Sequence, residues 1–165
     1  MRRAATAFVV LLAAFVLNTS PLGADSTTPL NREVSGPFSG TTFFDFFTHG
    51  CSFIHQSFDG TYATAVPGTG TFHLDVCPTF AQNIGTIDAG TFTLRDRRGS
   101  VLNGTVTGTY DARVTPNVAL TFTLHAESGT RGFRNVHGSI ALVGEWNFVG
   151  NPGPISGTLV GELER

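Results

Sequence analysis

From about residue 38 onward the chain reads in twos. Thr, Val, Leu and Phe alternate with polar residues over short runs, and Gly, Pro, Asn and Asp break the runs. No stretch after Leu17 sustains an apolar period near 3.6 residues, so the pattern predicts strands and almost no helix. "FSGTTFFDFF" (Phe38–Phe47) is a first strand, apolar on both faces, and "CSFIHQSF" a second. Asp59-Gly60 reads as a tight turn, with "TYATAV" after it. "GTGTFHLDVC" places Phe72, Leu74 and Val76 on one face and His73, Asp75 and Cys77 on the other. "PTFAQN" reads as a loop or short helical turn, and "GTFTLRD" and "SVLNGTVTGTYDA" flank a hairpin at "RRG". Leu102, Val106 and Tyr110 share a face with Gly104 and Gly108. Val118, Leu120, Phe122, Leu124 and Ala126 form the clearest apolar row. Ile140, Leu142, Trp146 and Phe148 form the next, then Ile155, Leu159 and Leu163.

About eight strands, each with one apolar face and hairpin-length connections, must cover that face without helices. A closed barrel or a sandwich does so and limits exposed edges. Inward glycines suit a tightly curved sheet, and the meander-like order favours the barrel. At eight strands the interior holds side chains or one small ligand. The expected fold class is therefore an all-β, eight-stranded antiparallel barrel.

The N-terminus follows different rules. Arg2 and Arg3 precede an apolar run from Ala4 to Leu17, too short to span a bilayer comfortably, and Ala24 offers a small residue at a cleavage edge. This reads as a secretory signal peptide over 1–24; a membrane anchor is the other reading. A flexible segment is expected over 25–36 and one barrel domain over 37–165. All ten basic residues are arginine. Without Arg2 and Arg3, eight arginines face 12 acids, so the formal charge moves from −2 to −4. That balance gives no electrostatic footprint for nucleic acid. For a secreted chain, Cys51 and Cys77 are most simply a disulfide, worth roughly 3 kcal/mol in the loop-entropy picture. Free thiols or metal ligation are the alternatives.

"GTGTFHLD", "GTFTLRDRRGSVLNGTVTGTY" and "LTFTLHAESGTRGFRNVHGSIALVGEW" occur in this order between Gly68 and Glu162. Together they resemble the secreted bacterial members of the allene oxide cyclase/dirigent barrel group. The resemblance implies an eight-stranded antiparallel barrel that is often a homo-oligomer. It implies no particular reaction. Asp75 departs from the glycine usual in those relatives, and "SGTRGFRNVHGS" is more basic than its counterpart.

Several polar groups are candidates for chemistry. His55, His73 and Asp75 would meet on the outer face if Cys51 and Cys77 faced each other across a long hairpin, with His55 opposite His73. A histidine pair beside a carboxylate binds metal or shuttles a proton; surface histidines on a polar face are the competing reading. His125, Glu127 and His137 make a second group, with a solvated face as the alternative. Trp146 beside Glu145 is either core or a stacking platform. Arg95, Asp96, Arg97 and Arg98 form a charged hairpin tip, either an anion grip or a solvated turn. In "ESGTRGFRNVHGS" a strand follows the glycines, so a phosphate loop is excluded and Phe133 is expected to tuck under the turn. Asn103 heads a glycosylation sequon, and GxSxG, HExxH and P-loop motifs are missing.

These features point to a secreted barrel that holds a small apolar ligand or presents its surface to a partner. No metal or cofactor is assigned, and no membrane association after signal cleavage is expected. Phe72, Leu74, Phe122, Leu142 and Trp146 are the candidate ligand-binding residues. Arg131, Arg134 and His137 are the candidate rim of the barrel mouth. A cofactor-free isomerase or cyclase and a structural barrel with a filled core are the alternatives.

Overall fold

The structure of the chain, a computed structural model, describes residues 31–113 and 116–165. The signal-peptide reading over 1–24 lies outside the described residues. The elements are β1 (Arg32–Phe46), β2 (Ile54–Ala63), β3 (Thr69–Val76), β4 (Thr79–Ala81), β5 (Ile84–Asp96), β6 (Val101–Asp111), β7 (Asn117–Gly129), β8 (His137–Asn147) and β9 (Gly153–Glu164). A single 3-10 turn, Arg131–Phe133, is the one helical element among the described residues. β1 begins at Arg32, inside the stretch expected to be flexible, because Val34 is fully buried in the barrel.

Neighbours run in the order β3-β2-β1-β9-β8-β7-β6-β5, and an additional β3–β5 pairing closes the ring. Every pairing is antiparallel. The result is the closed eight-stranded barrel that the alternation predicts, with β4 a three-residue strip beside the start of β5. The predicted inward rows are buried: Phe72, Leu74 and Val76; Leu102, Val106 and Tyr110; Val118, Leu120, Phe122, Leu124 and Ala126; Ile140, Leu142 and Trp146; Ile155, Leu159 and Leu163. Aromatic rings fill the middle. Phe122 meets Phe58 at 5.4 Å and Tyr110 at 5.2 Å between centroids, both edge-to-face, and Phe38 meets Phe72 at 5.7 Å.

Three local expectations differ. Asp59-Gly60 is not a turn: β2 runs straight through it and the chain reverses beyond Ala63. Gly60 faces the interior, where a Cβ would lie 2.6 Å from Cε1 of Phe72 and 2.3 Å from the carbonyl oxygen of Ser39. The glycine therefore makes room for a ring instead of reversing the chain. "PTFAQN" contains the short strand β4, and the turn follows at Gln82 and Asn83, both with positive φ. Phe148, expected on the inward row, lies past the end of β8 and is half exposed.

The cysteines also differ from the expected geometry in one respect. Cys51 and Cys77 are disulfide-bonded, with Cα atoms 5.3 Å apart. They do not pair within a ladder, because each lies beyond a strand end: Cys51 precedes β2 and Cys77 follows β3. The β2–β3 register consequently sets Asp59, not His55, opposite His73, and Ser57 opposite Asp75. Among the described residues no helix is long and apolar enough to cross a membrane.

Candidate functional site

In an antiparallel barrel the C-terminal ends of β1, β3, β6 and β8 share one rim with the N-terminal ends of their neighbours. That rim carries a cavity of about 370 Å³. Phe44 and Phe46 from β1, Ile54 and Gln56 from β2, Phe80 from β4, Val118 from β7 and Trp146 and Phe148 from β8 and its exit line it, with Asn83 and Ala112. Phe44, Trp146 and Phe148 form a triangle of rings: Phe44–Trp146 5.9 Å, Phe44–Phe148 5.7 Å and Trp146–Phe148 4.9 Å. Phe80 stacks on the buried Tyr110, 5.9 Å away and nearly parallel. Burial pushes the Tyr110 hydroxyl well above its usual pKa, so it stays protonated.

The mouth is built by specific ties. Asn151 accepts a hydrogen bond from the Phe44 backbone N–H at 3.1 Å and donates to the Phe44 carbonyl at 2.7 Å, holding the β8–β9 loop against β1. The Gln56 amide is buried and donates to Thr42 Oγ1 at 2.9 Å, which in turn donates to the Ser57 carbonyl at 2.8 Å. Gln56 is thus a fixed polar group in an apolar wall. The Trp146 Nε1–H is buried and has no hydrogen-bond partner among the described residues. Phe46, Phe47, Phe53, Phe80 and Phe148 are 43–72% exposed around this rim, a cluster of large apolar side chains open to solvent.

On the outer wall beside the mouth, β1, β2 and β3 carry a chain of imidazoles and carboxylates. His73 Nδ1 lies 2.7 Å from Asp59 Oδ1, and His73 Nε2 lies 2.7 Å from Asp75 Oδ2. His55 Nε2 lies 3.0 Å from Asp75 Oδ1, and its Nδ1 lies 3.1 Å from Asp45 Oδ1. Partial burial pulls the His73 pKa down, but its hydrogen bonds to Asp59 and Asp75 outweigh this and hold it above the usual value. Burial raises the Asp75 pKa, and the bonds from His73 and His55 outweigh that and lower it. The Thr48 hydroxyl lowers that of Asp45, burial opposes it, and His55 adds to the lowering.

The expected residues fall into separate places. His55, His73 and Asp75 do come together, through the diagonal His55–Asp75 contact rather than a direct cross-strand pair. Asp45, Asp59 and His49 complete the group and were not singled out by sequence spacing, because nothing in a linear reading sets Asp59 opposite His73. Trp146 lines the mouth cavity; Phe72, Leu74, Phe122 and Leu142 are buried in the barrel and do not line it. The ring-rich "FFDFF" was the available signal for the mouth, since a strand apolar on both faces cannot hide all its rings in one barrel interior.

Arg131, Arg134 and His137 belong to the opposite end of the barrel from Trp146, at the β7–β8 connection. Arg131 donates to the Arg98 carbonyl at 2.8 Å and borders an open cleft of about 640 Å³ with Arg32, Arg97 and Arg98. Phe133 is buried under that connection, as expected. His125, Glu127 and His137 do not assemble: His125 meets Ser139 at 3.1 Å, Glu127 accepts from Thr105 at 2.9 Å, and His137 lies 3.3 Å from Glu164. Glu145 is exposed and points away from the Trp146 face.

No protein-family model matches the chain, and no curated protein does. Among solved structures, the pterocarpan synthase dirigent protein GePTS1 is similar, at 11% identity and a TM-score of 0.47, over 92% of this chain and 99% of that one. The closed eight-stranded antiparallel barrel rests on the chain's own strand pairings.

Proposed function

We propose that the protein is a secreted barrel that binds one small, largely apolar molecule in its aromatic mouth. The observation that carries this reading is the cavity of about 370 Å³, walled by phenylalanines and Trp146 with the fixed amide of Gln56 among them. That volume and that mixture suit a small-molecule site: apolar walls supply affinity and a few set polar groups supply orientation. The barrel centre is packed with rings, so the ligand sits at the mouth and not in the middle. The disulfide is in keeping with an oxidising, extracellular setting.

Among the described residues the lining carries two amides, Gln56 and Asn83, and no ionisable side chain. This favours binding over acid–base chemistry. Because Gln56 is held in place, the same mouth would also orient a reactive unsaturated substrate, which is the isomerase or cyclase reading. Native mass spectrometry of the protein from its own host, with the stereochemistry of any retained compound, separates the two.

Trp146 is the only tryptophan in the chain, so its fluorescence reports on this cavity alone. Titration with an uncharged naphthalene derivative is expected to give a saturable change at one equivalent. Phe148→Ser should weaken it and Arg131→Ala, at the far end, should not. A non-saturable response, or equal affinity in both variants, rejects the mouth as the site.

A further inference from the structure

The histidine–carboxylate chain on the outer wall has no role in the proposed mouth site. We propose that Asp45, His49 and His55 bind one divalent transition-metal ion of the zinc class. The three come from adjacent pieces of chain: Asp45 from β1, His49 from the β1–β2 loop and His55 from the start of β2. One ligand atom from each lies within 4.8 Å of the others. Bonds of about 2.0–2.2 Å to a shared tetrahedral ion close that spacing with small side-chain rotations. Two imidazoles and a carboxylate select a borderline transition metal over calcium or magnesium, which take oxygen ligands.

The surroundings are those that orient a metal-bound imidazole. His55 is buried, 8% exposed, with a carboxylate at each ring nitrogen. A neutral imidazole has one N–H and can donate to only one of them. When Nδ1 and Asp45 Oδ1, 3.1 Å apart, share the ion, the one N–H of the neutral ring sits on Nε2 and donates to Asp75. Asp75 then acts as the outer carboxylate that fixes the tautomer of a ligating histidine. His73, between Asp59 and Asp75, holds Asp75 in place from the other side.

The loop is shaped for the third ligand. His49 has φ 51° and is followed by Gly50 at φ 77°, and the His49 ring lies 4.1 Å from that of His55 between centroids. A non-glycine residue in the left-handed region costs conformational energy, and the Cys51–Cys77 bond holds the loop there. The three ligands leave a fourth position facing an open groove, also bordered by Ser57 and His73, for water or an anionic group.

The test uses the full secreted chain with its disulfide intact, stripped of metal by a chelator. Calorimetric titration with zinc chloride is expected to give one equivalent bound at micromolar or tighter affinity, and cobalt(II) should give the visible absorption of a low-coordinate site. His49→Ala should weaken zinc binding by at least about tenfold, and Asp75→Asn, which removes only the outer carboxylate, by about tenfold. His125→Ala should leave it unchanged. His49 is exposed, so its loss does not threaten folding, and a metal-free thermal melt verifies this. Absence of stoichiometric zinc binding overturns the proposal. So does binding that survives His49→Ala and His55→Asn, or binding that His125→Ala removes.

Discussion

Asp96 shows how much one carboxylate does in a two-ended turn. Its Oδ1 accepts the backbone N–H of Arg98 at 2.8 Å and of Ser100 at 2.7 Å, which closes the β5–β6 hairpin tip. Burial pushes its pKa up, and the bonds to Ser100 and Arg98 together outweigh it and set the group below its ordinary 3.8. Asp96→Ala should cost about 1 kcal/mol at neutral pH, read by urea denaturation. A depressed folded pKa stabilises only the ionised form. The difference between the parent and the variant should therefore hold above pH 3.8 and fade as pH drops through the lowered value. His73 has the opposite sign. Its folded pKa lies above 6.5, so its contribution is complete below that value and is lost as pH rises through the folded one. Thermal melts of His73→Gln against the parent should converge toward alkaline pH and separate toward pH 6; parallel curves would show that the imidazole carries no pH-linked stability. At this scale "RDRRG" turned out to be a self-satisfied turn at Asp96, with Arg97 and Arg98 beside Arg131 in the cleft.

Elements expose a different set of constraints. Strand faces follow from the alternation itself, since one side of each strand meets the packed interior and the other meets water. Gly104 on β6 belongs to the inward row opposite Phe92, and a Cβ there would lie 1.9 Å from the His125 carbonyl oxygen and 2.8 Å from Cε1 of Phe92. Gly104→Ala should cost roughly 1–3 kcal/mol, because backbone and a core ring must both move; an unchanged denaturation midpoint would mean the wall yields freely. The Cys51–Cys77 bond ties the loop carrying Phe47, His49 and Phe53 to the end of β3. Replacing both cysteines by serine should lower stability by about 3 kcal/mol. It should also weaken zinc binding, since His49 would no longer be held over His55. Chemical denaturation and zinc calorimetry on the same variant read the two effects separately. Register is where the linear reading stopped: Asp59-Gly60 has turn chemistry, yet the interior needed a residue without a side chain beside Phe72 more than the chain needed a reversal there.

The whole molecule is a ring with two unlike ends. One rim gathers rings from β1, β4 and β8 around the cavity, and the other gathers Arg32, Arg97, Arg98 and Arg131 around an open cleft. Closure depends on β3 pairing with β5 from Gly70↔Asp96 to Val76↔Gly90, across the excursion that carries β4. A period of two and the scarcity of helix signals pointed to an all-β barrel or sandwich, and the spread of glycines favoured the barrel; those were properties of the sequence alone. So were the inward rows, Phe148 apart, because they rest on local alternation; an even count made the disulfide the simplest reading of the two cysteines. The tertiary structure alone decided which residues meet. Strand register set Asp59 against His73, barrel curvature brought Asp45, His49 and His55 to one patch, and the common rim placed Phe44, Phe80 and Trp146 around one cavity while sending Arg131 to the far end. Those contacts join residues distant in the chain, and their geometry comes from ladder hydrogen bonds that every residue type makes alike, so no side-chain pattern encodes them directly.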